Sequence, residues 1–275
     1  VNTETGFGAV MIDLSASADR EIALTARALV RIDAAARAAH LDYLVVGATA
    51  RTILSIGLVG QPPGRSTRDV DIAVEVCSWE DFERLTGQLE RHGRGVHKFL
   101  VDGVEVDVVP YGGIEREDRT ILWPDDYRMN VRGLSEAAPT AETVVLPQGV
   151  TVRVPAVPAL ALLKLLTWRD RRNTTTRDAD DLAEMISWYS SGACFDRLYE
   201  EPEVLEKNEY DPALAGAWLL GSQMTALLDG EGRRVLLQIA EDEDTLRLLA
   251  ADARAPRAPQ PMLALGAGIR DAAGS

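Results

Sequence analysis

Apolar residues change their spacing along the chain, and the changes divide it into elements. Between residues 17 and 40, Ile22, Leu29, Ile32 and Ala36 recur at helical spacing, with Ser17 as the expected N-cap and Asp19 and Glu21 in the first turn. Residues 43–46 read as a short buried strand, and Gly47-Ala48-Thr49-Ala50 follows as a turn into a helix ending near Ile56. Gly60, Pro62, Pro63 and Gly64 then break regular structure, which predicts an exposed excursion over 57–68. Residues 70–76 alternate as a strand, 79–91 form an amphipathic helix capped by Ser78, and strands at 98–101 and 104–109 flank the hairpin signal Asp102-Gly103. A further hairpin is expected over 143–154, turning near Gln148-Gly149, while 111–140 shows no clear period.

Beyond Pro155 the pattern is helical, at 157–168, 177–189, 212–228 and 233–251. The expected fold class is therefore α/β: residues 1–154 form a domain with a mixed sheet, and 155–251 form a C-terminal helical domain. Residues 252–275, rich in Ala, Pro and Gly, are expected to be a mobile tail. At 275 residues and 46% hydrophobic, the chain has ample material for a packed core. Its two cysteines, Cys77 and Cys194, suit neither a disulfide framework nor a Cys-x-x-Cys metal site. No stretch approaches the ~18–20 apolar residues of a membrane span. With no basic-then-apolar N-terminal segment, the expectation is a cytoplasmic protein without a membrane partner. The net charge of −14 argues against a general nucleic-acid coat but leaves room for a local basic groove, for which Arg169, Arg171, Arg172 and Arg177 form one run and Arg91, Arg94 and Lys98 another. His40, His92 and His97 have no zinc-site spacing, and the tryptophans read as packing residues.

Candidate chemistry lies in the acidic residues of two strands. In Asp69-Val70-Asp71-Ile72-Ala73-Val74 the strand period sends both carboxylates to one face and Val70, Ile72 and Val74 to the other. In Val104-Glu105-Val106-Asp107-Val108 the same period groups Glu105 with Asp107. If this strand joins the same sheet, a third carboxylate meets the first two. Clustered carboxylates repel unless a cation sits among them, and Mg²⁺ favours a few carboxylate oxygens together with water and substrate phosphates. Two such ions suit phosphoryl transfer, by activating a hydroxyl and neutralising a departing pyrophosphate.

These residues resemble the nucleotidyltransferase superfamily and, within it, the AbiEii-like toxins of toxin–antitoxin systems, which include the MenT-type toxins. The family's Gly-Gly/Ser-Thr-Ala turn is similar to Gly47-Ala48-Thr49-Ala50, although Ala48 stands where Gly or Ser is usual. Its Arg-x-Ser/Thr-x-Asp-x-Asp element is similar to Arg65-Ser66-Thr67-Arg68-Asp69-Val70-Asp71, preceded here by a long proline-containing loop. A later element, Lys followed by a basic stretch and Arg-Asp-x-x-Asp-Leu, is similar to Lys164 through Leu182, with its last acid at Asp181. The resemblance implies that Asp69 and Asp71 coordinate two Mg²⁺ ions and that Asp107 completes one site and assists deprotonation of the acceptor. It implies that Gly47, Ala48, Thr49 and Lys164 hold nucleotide phosphates, that Asp181 orients Lys164, and that the helical domain completes the nucleotide cleft.

The implied activity is transfer of a nucleoside monophosphate from an NTP to an acceptor hydroxyl at the tRNA 3′ end, which inhibits growth until a cognate antitoxin relieves it. Two rivals stand beside it. One is a small-molecule, antibiotic-type nucleotidyltransferase, which the acidic charge suits at least as well. The other is a non-catalytic nucleotide-binding interaction module, which the full set of three carboxylates disfavours.

Overall fold

A computed structural model describes residues 11–190, 193–254 and 259–274. The chain is α/β with mixed sheets, and it forms two compact units. The first comprises 1–53 and 65–156, and the second 54–64 and 157–275, so residues 57–64 of the proline-containing excursion fall with the helical unit and the division differs from a single cut after residue 154.

In the first unit, β1 (Met11–Asp13), α1 (Arg20–Ala39), β2 (Tyr43–Val46), α2 (Gly47–Leu54), β3 (Asp69–Val76) and α3 (Trp79–Thr86) lead into β4 (Glu90–Arg91), β5 (Lys98–Val101) and β6 (Val104–Gly112). The main sheet has the order β2-β3-β6-β5-β4, with β3 parallel to β6 and the other pairs antiparallel. Val70, Ile72, Val74 and Val76 of β3 are buried, each contributing about 1.5–3 kcal/mol. A slip of one residue would place Asp69 and Asp71 in that core instead, so apolar burial fixes the acidic face. The turn between β5 and β6 has positive φ at both Asp102 and Gly103, as a tight two-residue hairpin requires.

Several expectations change in detail. Asp19, not Ser17, caps α1, accepting hydrogen bonds from the amides of Glu21 and Ile22. The Ser17 hydroxyl instead accepts from the Asp19 amide. Ser78 caps α3 in a capping box with Asp81, but the helix stops at Gly87, and Arg91 pairs with Phe99 in β4 rather than continuing a helix. The stretch without clear period contains the hairpin β7 (Thr120–Leu122) and β8 (Arg128–Asn130) and the short α4 (Leu134–Ala137), drawn together by Arg119, which binds both Glu115 and Glu136. The last hairpin is β9 (Glu142–Val145) and β10 (Thr151–Val154), and β1 adds in parallel to β9.

The second unit contains a π-helical turn, Ser55–Val59, and the helices α5 (Val157–Arg171), α6 (Arg177–Trp188), α7 (Ala193–Glu200), α8 (Pro202–Lys207), α9 (Pro212–Ala226), α10 (Gly230–Glu241), α11 (Glu243–Asp252) and α12 (Gln260–Ala273). The helix expected over 233–251 is two, divided at Asp242, whose carboxylate caps α11. The expected mobile tail is corrected. Residues 260–273 form α12, with Met262, Leu265 and Ile269 buried, and it packs on α9 through glycines. A Cβ at Gly221 would overlap the Leu265 carbonyl, and one at Gly268 the Trp218 carbonyl, so the two backbones approach as only glycine allows. Residues 255–258 and 275 of that segment lie outside the described residues.

Candidate active site

In the first unit, the register of the main sheet sets the acidic residues. Asp71 on β3 lies opposite Val46 on β2 and Asp107 on β6, and Asp107 lies opposite Lys98 on β5. Registered neighbours share a face, so Asp71, Asp107 and Lys98 form a row across three strands. Asp69 lies opposite Glu105 in the next row of that face. The sheet thus brings together the three carboxylates expected from the strand period.

Lys98 holds the third of them. Its ammonium donates to both Asp107 oxygens at 2.9 Å. Burial works against the Lys98 charge, but the hydrogen bond and charge of Asp107, with Asp69 and Glu105 beyond, keep its pKa above the ordinary lysine value. Burial works against the Asp69 carboxylate too, and it is overcome by the hydrogen bond from the Thr67 hydroxyl and by the charges of Lys98 and Arg65, which leave its pKa below the ordinary value. Beside this pair, the His97 Nε2 is 3.9 Å from Asp107 and its ring packs against Trp123. Burial depresses the His97 pKa even though the Asp107 charge opposes it.

Gly47 and Thr49 frame the acidic strand from α2. Gly47 has φ +65°, and a Cβ there would overlap the Asp71 carboxylate, so this glycine leaves room for the acid itself. Ala48 is buried next to it. Thr49 is 1% exposed and its hydroxyl donates to the Asp69 carbonyl at 2.9 Å, which ties α2 to the start of β3. That hydroxyl braces the strand rather than facing solvent. Buried Arg51 donates to the Arg65 carbonyl at 2.6 Å, and Glu21 on α1 accepts from the Thr52 hydroxyl at 3.1 Å and the Thr67 amide at 2.8 Å. Glu21, Arg51 and Thr67 therefore position the loop that enters Asp69, a role the sequence does not reveal because each partner is remote in the chain.

The second unit gathers the other expected residues. Lys164 on α5 is 5% exposed and lies 2.6 Å from Asp181 and 3.0 Å from Asp178, both buried on α6. Arg171 donates to the second oxygen of Asp178 at 3.0 Å. Two cations thus answer two buried anions, as burial of charge requires. Asp178 is a member absent from the sequence-based set, though its spacing of three from Asp181 puts both acids on one helical face. The basic run is partly occupied: Arg172 reaches Asp252 at 3.3 Å and lies over the Trp168 ring, while Arg169 and Arg177 are exposed.

Among solved structures, the antibiotic-resistance factor ANT(2″)-Ia matches in a solution structure at 14% identity and TM-score 0.39, covering 69% of this chain and 97% of that one. Its crystal structure in complex with adenylyl-2″-tobramycin matches at 15% identity and TM-score 0.38, with the same coverage. The Thermotoga maritima CCA-adding enzyme complexed with tRNA matches at 13% identity and TM-score 0.24, covering 89% of this chain and 80% of that one. No curated protein matches the sequence. The family described as the nucleotidyl transferase AbiEii toxin, type IV toxin–antitoxin system, matches over residues 27–264, most of the chain. This protein is a nucleotidyltransferase and belongs to the AbiEii toxin family.

Proposed function

We propose that this chain transfers a nucleoside monophosphate from an NTP to the 3′ end of tRNA with two Mg²⁺ ions, and that a cognate antitoxin relieves the resulting growth inhibition. The observation that carries the reading is the acidic face of the main sheet, where Asp71 and Asp107 are registered neighbours and Asp69 lies one row away.

The donor set fits magnesium. All three groups are hard carboxylate oxygens, and one of them, Asp107, already holds a cation in Lys98. Among the described residues no three His, Cys, Asp or Glu side chains form a ready-made metal cage. Mg²⁺ is commonly held by one or two carboxylates completed by water and substrate phosphates, so Asp69 and Asp71 with the NTP suffice, and Asp107 completes one site. Bound there, the ions would lower the pKa of the acceptor hydroxyl and neutralise charge on the leaving pyrophosphate. Asp107 would receive the hydroxyl proton, Gly47 to Thr49 would offer backbone N–H groups to the phosphates at the start of α2, and Lys164, oriented by Asp181 and Asp178, would bind phosphate.

Exposed Arg169 and Arg177 in a chain of net charge −14 support an anionic macromolecule as acceptor, while the charge itself favours the small-molecule alternative. Incubation with each α-labelled NTP, Mg²⁺ and either total RNA or small hydroxylated compounds distinguishes them by what becomes labelled. The expected product is tRNA extended at its 3′ end. Asp69→Asn and Asp71→Asn should each abolish labelling with the thermal melt preserved, and wild-type turnover in both would refute the metal assignment.

A further inference from the structure

One cation on the acidic face belongs to the chain itself. Lys98 is opposite Asp107 in register and binds both of its oxygens at equal distance, 2.9 Å. The pair is only partly shielded: the Lys98 side chain is 39% exposed and that of Asp107 is 18% exposed. Lys98 can therefore swing to solvent without opening the core, which on β5 is made by Phe99 and Val101. Its ammonium also answers the charges of Asp69 and Glu105, the other acids that bear on it.

A divalent ion that takes Asp107 as a ligand must use an oxygen that Lys98 now holds, and it would bring a second positive charge within a few ångströms of the first. Like charges at that separation repel strongly in a partly buried site. We infer that Lys98 is the resident counter-cation of Asp107 and that it competes with a divalent ion for those oxygens. This inference rests on the metal reading given under Proposed function. Its consequence is that Asp107 is released only when the incoming ion gains enough from other ligands, such as NTP phosphates, to displace Lys98. The free enzyme would then hold metal weakly and complete its site on nucleotide binding.

Direct binding of Mn²⁺, followed by loss of the free-ion electron paramagnetic resonance signal without nucleotide, tests this apart from activity. Lys98→Met should bind Mn²⁺ about tenfold more tightly than wild type, the size of effect expected when a partly exposed charge-assisted contact is removed. Lys98→Gln, which is neutral but still polar, should give the same gain and guards against a misfolded methionine variant. Lys98→Arg should stay near wild type. In an Asp107→Asn background the gain from Lys98→Met should shrink, because the contested oxygens no longer carry a charge and only the repulsion of Lys98 on an ion beside Asp69 is left to relieve. Equal or weaker binding by both neutral variants, tighter binding by Lys98→Arg, or a gain that persists undiminished without the Asp107 carboxylate would each overturn the inference while leaving the metal reading intact. If none of the proteins binds Mn²⁺ more tightly than an Asp69→Asn, Asp71→Asn double variant, the metal reading itself fails and Lys98 has nothing to compete with.

Discussion

Asp71 and Gly47 act as one unit, since the carboxylate occupies the space that any side chain at position 47 would need. Gly47→Ala combines that overlap with a positive φ that alanine adopts at a cost of about 1–2 kcal/mol. The expected outcome is a lower melting temperature together with loss of nucleotidyl transfer, because relief of the overlap moves the Asp71 carboxylate. Full transfer activity in Gly47→Ala would show that Asp71 need not stay where the structure has it. Lys164 presents a different balance. Removing one partner of a buried charge cluster typically costs about 3–5 kcal/mol, and here Lys164→Met would take away the ammonium that bonds both buried Asp178 and buried Asp181. The variant should melt well below wild type. Assayed at a temperature where it is still folded, it should also lose about tenfold in kcat/KM for the NTP, as expected for a charge-assisted hydrogen bond to phosphate. A stability loss with unchanged kcat/KM would make Lys164 a purely structural ion.

Elements were legible where one local rule decides them. The period of two in β3 and β6 put Asp69, Asp71 and Asp107 on the half-buried face opposite the core, because Val70, Ile72, Val106 and Val108 had to be buried. A two-residue turn at Asp102-Gly103 also fixes the β5–β6 register, so the opposition of Lys98 to Asp107 was available from the sequence and was hidden only by grouping Lys98 with nearby arginines. What sequence could not show depends on tertiary partners: the Glu21 carboxylate that receives Thr67 and Thr52, and the Arg119 that gathers β7, β8 and α4. The composition of α12 misled, because its Gly and Ala residues look like those of a loose arm. Its Met262, Leu265 and Ile269 nevertheless follow helical spacing, and its glycines serve close packing on α9. Gly268→Val should therefore destabilise the second unit by more than the roughly 1 kcal/mol typical of point substitutions, since the overlapping atom is backbone and cannot rotate away. A melt unchanged from wild type would place α12 back among loosely attached segments.

For the whole molecule, the acceptor is a question of charge. A protein of net charge −14 repels polyanions at long range, so the proposed tRNA binding would have to depend on a local group of cations and should weaken steeply with salt. The structure sorts the arginines of the run from 169 to 177 by what else they do. Arg171 neutralises buried Asp178 and Arg172 binds Asp252 over Trp168, so replacing either mixes acceptor binding with stability. Arg169 and Arg177 are exposed, and a substitution there should leave the melt close to wild type. Replacing both by Ala is expected to reduce tRNA labelling severalfold, leave the KM for the NTP unchanged, and lower the slope of log affinity against log salt by about 0.7–0.9 for each phosphate that is no longer neutralised. The slope carries the discrimination, because a general loss of activity would lower labelling at every salt concentration alike. If the double variant keeps the wild-type salt slope, these arginines do not touch the acceptor. If a small hydroxylated compound is labelled readily while tRNA is not labelled with any NTP, the acceptor is a small molecule, and the acidic surface then presents no electrostatic obstacle to it.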